Sequence, residues 1–66
     1  MMYGKEFYTA YTKDKQRFVI IYVKNIKRAH MMAQEYFGKG ISFTTRKSTN
    51  DETLHADPNQ VLRDEH

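Results

Sequence analysis

The sequence predicts a small α+β fold, a ββαβ unit in which one helix packs on one face of a three-stranded sheet. Two strand-like segments open the chain, an apolar stripe with helical spacing follows, and a third alternating segment comes after it. A length of 66 residues leaves room for one domain. We divide the chain into a compact basic domain at residues 1–48 and an acidic tail, expected to be disordered, at residues 49–66.

Two adjacent strands are predicted near the N-terminus. Residues 5–12 are rich in aromatic and β-branched types, which favour strands. Residues 13–16 are polar and indicate a hairpin turn of open type, since they contain neither Asn-Gly nor Asp-Gly. Residues 17–24 alternate with both faces apolar. Such a strand is usually central, which mildly favours a third strand beside the second. The same pattern fits a strand that pairs with a second copy in a homodimer.

A helix and a third strand complete the predicted unit. Apolar residues at helical spacing predict a helix over residues 26–37, with Asn25 as its N-cap and Gly38 at its C-terminal end. Residues 41–47 alternate between apolar and polar types and predict a strand with one solvated face. A single helix covers one face of so small a sheet, so the second apolar face must be covered by something else or must bind a partner.

The charge is divided unevenly along the chain. Residues 1–48 hold ten of the eleven Lys and Arg and three of the eight acids, a net charge of +7. Residues 49–66 hold one Arg and five acids, a net charge of −4. This asymmetry indicates a polyanionic partner. The acidic tail has three interpretations: a solubilising extension, a segment that folds back on the basic body and competes with a polyanion, or a segment that a partner orders.

Several classes of function are not expected. There is no cysteine, which excludes disulfides and thiolate zinc sites, and the three histidines are scattered, so we expect neither a metal nor a cofactor. The only histidine of the body, His30, is interpreted as a surface residue of the helix. No nucleophile–base–acid set and no phosphate loop is present, and so short a chain is expected to leave little room for a pocket of several hundred cubic ångströms. We therefore expect no enzyme.

Basic residues interleaved with aromatic ones favour nucleic acid as the polyanion. A sheet face with exposed rings and a basic rim binds single strands by stacking and phosphate contacts. The alternative is a purely structural role, in which such rings belong to the core and such lysines to a solvated surface. The candidate residues for binding nucleic acid or another partner are Lys5, Tyr8, Tyr11, Lys13, Lys15, Arg17, Tyr22, Lys24, Lys27, Arg28, Arg46 and Lys47.

The alternative is a modulator of another protein, an inhibitor or adaptor. The spare apolar sheet face could pack on a partner or on a second copy, and Met31 on the outer side of the helix suggests an adaptable contact. A chain of this length also fits a regulator encoded by a phage or a mobile element. The longest apolar run has six residues and no signal peptide is apparent, so we expect a cytoplasmic protein without membrane contact.

Overall fold

The structure is a computed structural model and describes residues 4–63. It is a small α+β fold with one main helix on a β-sheet, as the sequence predicts. The sheet has four strands in the order β3-β1-β2-β4, so the prediction of three strands is wrong. In chain order the elements are β1 (Glu6–Thr12), β2 (Phe18–Val23), α1 (Ile26–Phe37), β3 (Phe43–Lys47), α2 (Asn50–Leu54), a 3₁₀ turn (Pro58–Gln60) and β4 (Leu62–Arg63).

The β1–β2 hairpin forms the centre of the sheet. The two strands pair antiparallel, with Thr9 opposite Ile20. Their turn closes because the Asp14 carboxylate accepts hydrogen bonds from the Thr12 hydroxyl at 2.6 Å and the Gln16 backbone N–H at 3.0 Å. These bonds keep the pKa of Asp14 below its usual range, mainly through the Thr12 hydroxyl. The turn that the sequence left open is thus organised by a local aspartate.

Both outer strands differ from the sequence-based expectation. β3 pairs antiparallel with β1 and not beside β2, with Thr12 opposite Phe43. β2 is nevertheless interior, because β4 pairs with it in parallel at Ile21 and Tyr22. The two apolar faces of β2 therefore follow from a central position within one chain. A homodimer through strand 17–24 is no longer needed to explain these faces, because β1 pairs along one edge of β2 and β4 pairs with part of the other. The homodimer stays a prediction.

Helix α1 begins and ends where the sequence predicts. The Asn25 side chain accepts a hydrogen bond from the Arg28 backbone N–H at 2.8 Å, which satisfies one of the free donors of the first turn. At the other end, Gly38 donates its backbone N–H to the Gln34 carbonyl at 2.9 Å. Its φ of 103° lies in a region that favours glycine. The chain can therefore leave the helix sharply towards β3.

Replacing Gly38 with alanine is expected to destabilise the fold by about 1 kcal/mol or more, because a Cβ is strained at positive φ. There is space around the new Cβ, so the strain would come from the backbone alone. Gly4 is the matched control, since a Cβ there meets nothing within 4 Å and the backbone is not in that region. Urea unfolding of both variants measures the difference. Equal midpoints for Gly38→Ala and Gly4→Ala would contradict the expectation.

The core lies between α1 and one face of the sheet. The helix contributes Ala29, Ala33 and Phe37, all buried. Small alanines let the helix approach the strands closely, while Phe37 fills the end near the hairpin turn. The strands contribute buried Tyr8, Ala10, Val19, Ile21 and Val23, and Met32, Phe43 and Leu62 pack at the margin.

Residues 49–63, which belong to the segment predicted to be disordered, partly cover the opposite face of the sheet. In residues 49–63 the structure has α2, the 3₁₀ turn and β4. Thr49 caps α2 in a reciprocal capping box with Glu52, and Asp57 caps the 3₁₀ turn. Packing of residues 49–63 on the sheet agrees with the first part of the fold-back interpretation, whereas competition with a polyanion stays a prediction. Residues 64–66 lie outside the described residues, and the domain boundary at residue 48 stays a prediction.

Candidate binding surfaces

The basic candidates lie mainly at two opposite ends of the sheet. At the hairpin end, exposed Lys13 and Lys15 lie in the turn between β1 and β2. Arg17 lies beside them, with its guanidinium 5.3 Å from the centre of the Phe37 ring. Lys39 joins this end, because the loop from Gly38 to Ser42 runs along the turn and its Ser42 carbonyl accepts from the Lys13 N–H at 3.1 Å. Lys39 was not among the predicted residues.

The second basic group surrounds the start of α1. Lys24 follows the last residue of β2, and Lys27 and Arg28 lie in the first helical turn, where no acidic residue is present. Lys5 lies at the same end of the sheet, because neighbouring Glu6 pairs with Val23. A strand of seven residues spans about 20 Å, so the two basic groups are separated by roughly that distance. The predicted cations form two groups, not one continuous rim.

The sheet face opposite α1 carries two of the three predicted aromatic residues, Tyr11 and Tyr22, together with two arginines. The Arg46 guanidinium lies 5.5 Å from the centre of the Tyr11 ring, and that of Arg63 lies 5.6 Å from the Tyr22 ring. Tyr22 also contacts Phe7, with ring centroids 4.5 Å apart. These rings are half-buried and partly covered by arginine. A base could therefore stack on Tyr11 or Tyr22 only in competition with the arginine that lies over that ring.

Two candidates are placed where they contribute little to such a surface. Tyr8 is 8% exposed and belongs to the core beneath α1, so its ring is not available for stacking. Lys47 forms an ion pair with Glu6, which raises the pKa of the lysine, first through the hydrogen bond. Tyr8 thus has the structural role of a core residue, which is common for an aromatic residue on a small sheet. His30 is exposed, as expected, and its ring stacks on Phe43 with centroids 4.7 Å apart.

Arg46 is held by an acid from the C-terminal segment. Its two terminal nitrogens donate to the two oxygens of Glu52 at 2.8 and 2.7 Å. The same carboxylate accepts from the Thr9 hydroxyl at 3.1 Å and from the Thr49 backbone N–H at 2.9 Å. We call this set of residues, Glu52 with Arg46, Thr9 and Thr49, the Glu52 network. It fixes α2 over the centre of the sheet, where Thr9 is only 2% exposed.

The Glu52 network has a clear electrostatic signature. The Arg46 hydrogen bonds lower the pKa of Glu52 from 4.5 to about 2, with Thr49 and Thr9 adding to the effect. The pKa of Arg46 is raised in turn, mainly by the hydrogen bond to Glu52. A bidentate arginine–carboxylate pair is among the stronger polar contacts in proteins. The two terminal nitrogens of Arg46 are therefore occupied, and a phosphate could form a bidentate pair with them only by displacing Glu52.

A groove lies between β2 and the C-terminal segment. It has a volume of about 560 Å³, and its lining residues are Phe18, Ile20, Asp51, Glu52, His55, Ala56, Asp57, Gln60 and Val61. Phe18 is 66% exposed although it is a large aromatic residue. The expectation that so short a chain leaves little room for a pocket of this size is wrong. The room arises because residues 50–61 stand over the sheet instead of extending into solvent.

Sequence reasoning missed the residues that the C-terminal segment contributes. The Thr49-x-x-Glu52 pattern is a capping-box signal, and Asp57-Pro58 has a cap followed by proline at the first helical position. Both signals predict local helix starts. Neither predicts that Glu52 reaches Arg46, which is a tertiary contact. Arg63 was likewise recognised as a functional candidate only from its position.

The described residues restrict other classes of site. Between residues 4 and 63 the longest helix, α1, has 12 residues, and no helix there is long and apolar enough to cross a membrane. In the same range, His, Asp and Glu side chains do not gather in a group of three that could hold a metal ion. Searches against family models, curated proteins and solved structures gave no match for this chain.

Proposed function

We propose that this chain is a small non-catalytic binding protein that uses its basic ends on a polyanion, most simply a nucleic acid in the cytoplasm. The observation that carries the proposal is a surplus of positive charge. Among the described residues, five exposed lysines have no ion pair with another described residue: Lys13, Lys15, Lys24, Lys27 and Lys39. An uncompensated positive surface attracts phosphates and releases their counterions.

The placement of these lysines favours contact with the phosphate backbone of a nucleic acid over contact with its bases. They lie at two ends about 20 Å apart, on the hairpin turn and around the first turn of α1. The aromatic face between the ends is partly covered by α2 and carries the Glu52 carboxylate. Phosphate contacts without base contacts give affinity with little sequence preference. We therefore expect weak discrimination between sequences.

The test is a salt titration with the double variant Lys24→Glu and Lys27→Glu. Binding of fluorescent single- and double-stranded DNA and RNA is measured by polarisation from low to moderate salt. If the wild type neutralises about five phosphates, log K should fall against log salt with a slope of about −4. The variant should bind roughly tenfold more weakly at low salt, and its slope should be shallower by about 2.

Matched controls separate charge from misfolding. Lys24→Gln with Lys27→Gln removes charge without adding acids and should lie between the wild type and the reversal variant. Circular dichroism should be unchanged, because both lysines are exposed and neither caps α1. Absence of binding to every nucleic acid at low salt contradicts the proposal. Equal nucleic-acid affinity of the wild type and both variants would show that the basic group at the start of α1 takes no part in binding.

A second function, binding and modulating another protein, is supported by a different observation. Phe18 and Leu54 are large apolar side chains with 66% and 78% of their surface exposed. Phe18 borders the groove between β2 and the C-terminal segment. Exposed apolar residues beside a concavity are typical of surfaces that bind partners. This function does not depend on nucleic-acid binding.

A further inference from the structure

The groove beside Phe18 has an apolar base and an open side. Phe18 and Ile20 project from the same face of β2, and Ala56 and Val61 approach from the C-terminal segment. Ile20 is buried, while Phe18 stays mostly exposed at the mouth of the groove. The volume of about 560 Å³ lies within the range of small-ligand sites. It is large enough for one or two apolar side chains of a partner.

The rim of this groove is acidic, in contrast to the rest of the body. Asp51, Glu52 and Asp57 line it, and the lining contains no Lys or Arg among the described residues. Glu52 is neutralised by its bidentate pair with Arg46. Asp51 and Asp57 form no ion pair with another described residue. Two exposed carboxylates therefore stand beside an apolar concavity.

These features decide between classes of partner. A nucleic acid is disfavoured here, because the carboxylates repel phosphates. A neutral apolar ligand would fill the groove but would leave the Asp51 and Asp57 carboxylates without a positively charged partner. A peptide segment can do both. Its apolar side chain can pack on the apolar floor of the groove, and a neighbouring Lys or Arg can pair with the acidic rim. Charge complementarity of this kind raises the rate and specificity of protein association.

We propose that the groove between β2 and residues 51–61 binds a basic segment of a protein partner, with an apolar side chain inserted against Phe18 and Ile20. The flanking cations of that segment pair with Asp51 and Asp57. The proposal rests on the second function given above, protein binding, and not on nucleic-acid binding. It makes the molecule two-sided, with positive charge at the sheet ends and negative charge around one apolar groove.

The experiment selects ligands without assuming their sequence. A displayed library of random 12-residue peptides is selected on the immobilised full chain, and enriched peptides are synthesised and measured by fluorescence polarisation. The expected consensus is one or two large apolar residues next to Lys or Arg. Phe18→Ala should weaken such peptides about tenfold, as expected when an anchor contact worth about 1.4 kcal/mol is removed.

Charge variants test the rim. Asp51→Asn with Asp57→Asn removes both charges and keeps a capping side chain at position 57, where aspartate accepts from the Asn59 N–H at 3.0 Å. We expect roughly three- to tenfold weaker peptide binding and a smaller salt dependence, as for exposed charge pairs. Glu35→Gln, an exposed acid on α1 away from the groove, is the matched control and should bind like the wild type.

The outcomes separate this proposal from its rivals. Lack of any enriched peptide, a consensus without basic residues, or equal binding by Phe18→Ala would overturn it. A concentration-dependent dimer in sedimentation that Phe18→Ala abolishes would also overturn it, because the occupant would then be a second copy. The Lys24→Glu, Lys27→Glu variant should keep peptide binding. The peptide result therefore tests the groove independently, even if the chain binds no nucleic acid.

Discussion

Replacing Glu52 with alanine is expected to lower the free energy of unfolding by about 2–3 kcal/mol, because hydrogen bonds to charged groups are worth more than neutral ones. The change removes both bonds to Arg46, the bond from Thr9 and the reciprocal half of the capping box with Thr49. In a domain of this size it corresponds to a fall in melting temperature of roughly 10–20 °C. Thermal unfolding followed by circular dichroism measures it. Glu35→Ala, an exposed acid outside the network, should change stability by less than about 0.5 kcal/mol.

Acid titration provides a second readout of the same prediction. The pKa of Glu52 is lowered from 4.5 to about 2 in the folded chain, first by the Arg46 hydrogen bonds. A carboxylate whose pKa is lower in the folded than in the unfolded chain stabilises the fold at pH values above its ordinary pKa of 4.5. That stabilisation is lost as the pH falls from about 4.5 towards 2. Glu52→Gln cannot lose a charge in this window. The stability gap between the wild type and Glu52→Gln should therefore narrow as the pH falls; a gap independent of pH would contradict the role of the charge.

Ending the chain after Ser48 is expected to have the larger effect, a loss of at least about 3 kcal/mol. The shortened chain loses the Glu52 network, the β4 strand beside β2, and Leu62, which packs against the core. It would also expose Ile20 and Thr9, which the full chain buries. In a small domain of marginal stability, this loss leaves little folded protein. Urea unfolding and amide exchange of the shortened chain measure the loss.

This truncation decides between two views of the boundary at residue 48. If residues 1–48 are an independent domain, the shortened chain should unfold cooperatively at nearly the wild-type midpoint. If residues 49–63 complete the fold, it should be largely unfolded. Leu54→Ala is the control within the same segment, because Leu54 is 78% exposed and its removal should cost little. We expect the second result.

Local patterns predicted the main elements well. The helix over residues 26–37 agrees with Ile26–Phe37, and its caps at Asn25 and Gly38 are confirmed. Alternation assigned the faces of β1 and β2 correctly, with Phe18 and Ile20 opposite Val19 and Ile21. These successes share one cause. Apolar periodicity, capping side chains and glycine backbone preferences act over a few residues, so they can be read without knowledge of the rest of the chain.

The candidate site was less predictable because it depends on contacts between distant residues. The sequence identified Arg46 and Tyr11 as candidates, but not that Glu52 occupies Arg46. Tyr8 was proposed for stacking, yet it lies under α1 in the core. A two-residue strand such as β4 has too little pattern to be recognised. Composition predicted a disordered tail at residues 49–66 because few of them are large and apolar. It could not reveal the bidentate Glu52–Arg46 pair that holds α2, within the described part of this segment, on the sheet.

The basic body and the acidic tail are properties of the sequence alone, as are the strand–strand–helix–strand order and the apolar character of both faces of β2. Only the tertiary structure decided how these parts combine. It placed β3 beside β1 and β4 beside β2. It laid the acidic segment over the second apolar face through Glu52. The physical reason is range: charge and periodicity are summed along the chain, whereas a groove with an acidic rim exists only after residues 18–20 and 51–61 meet.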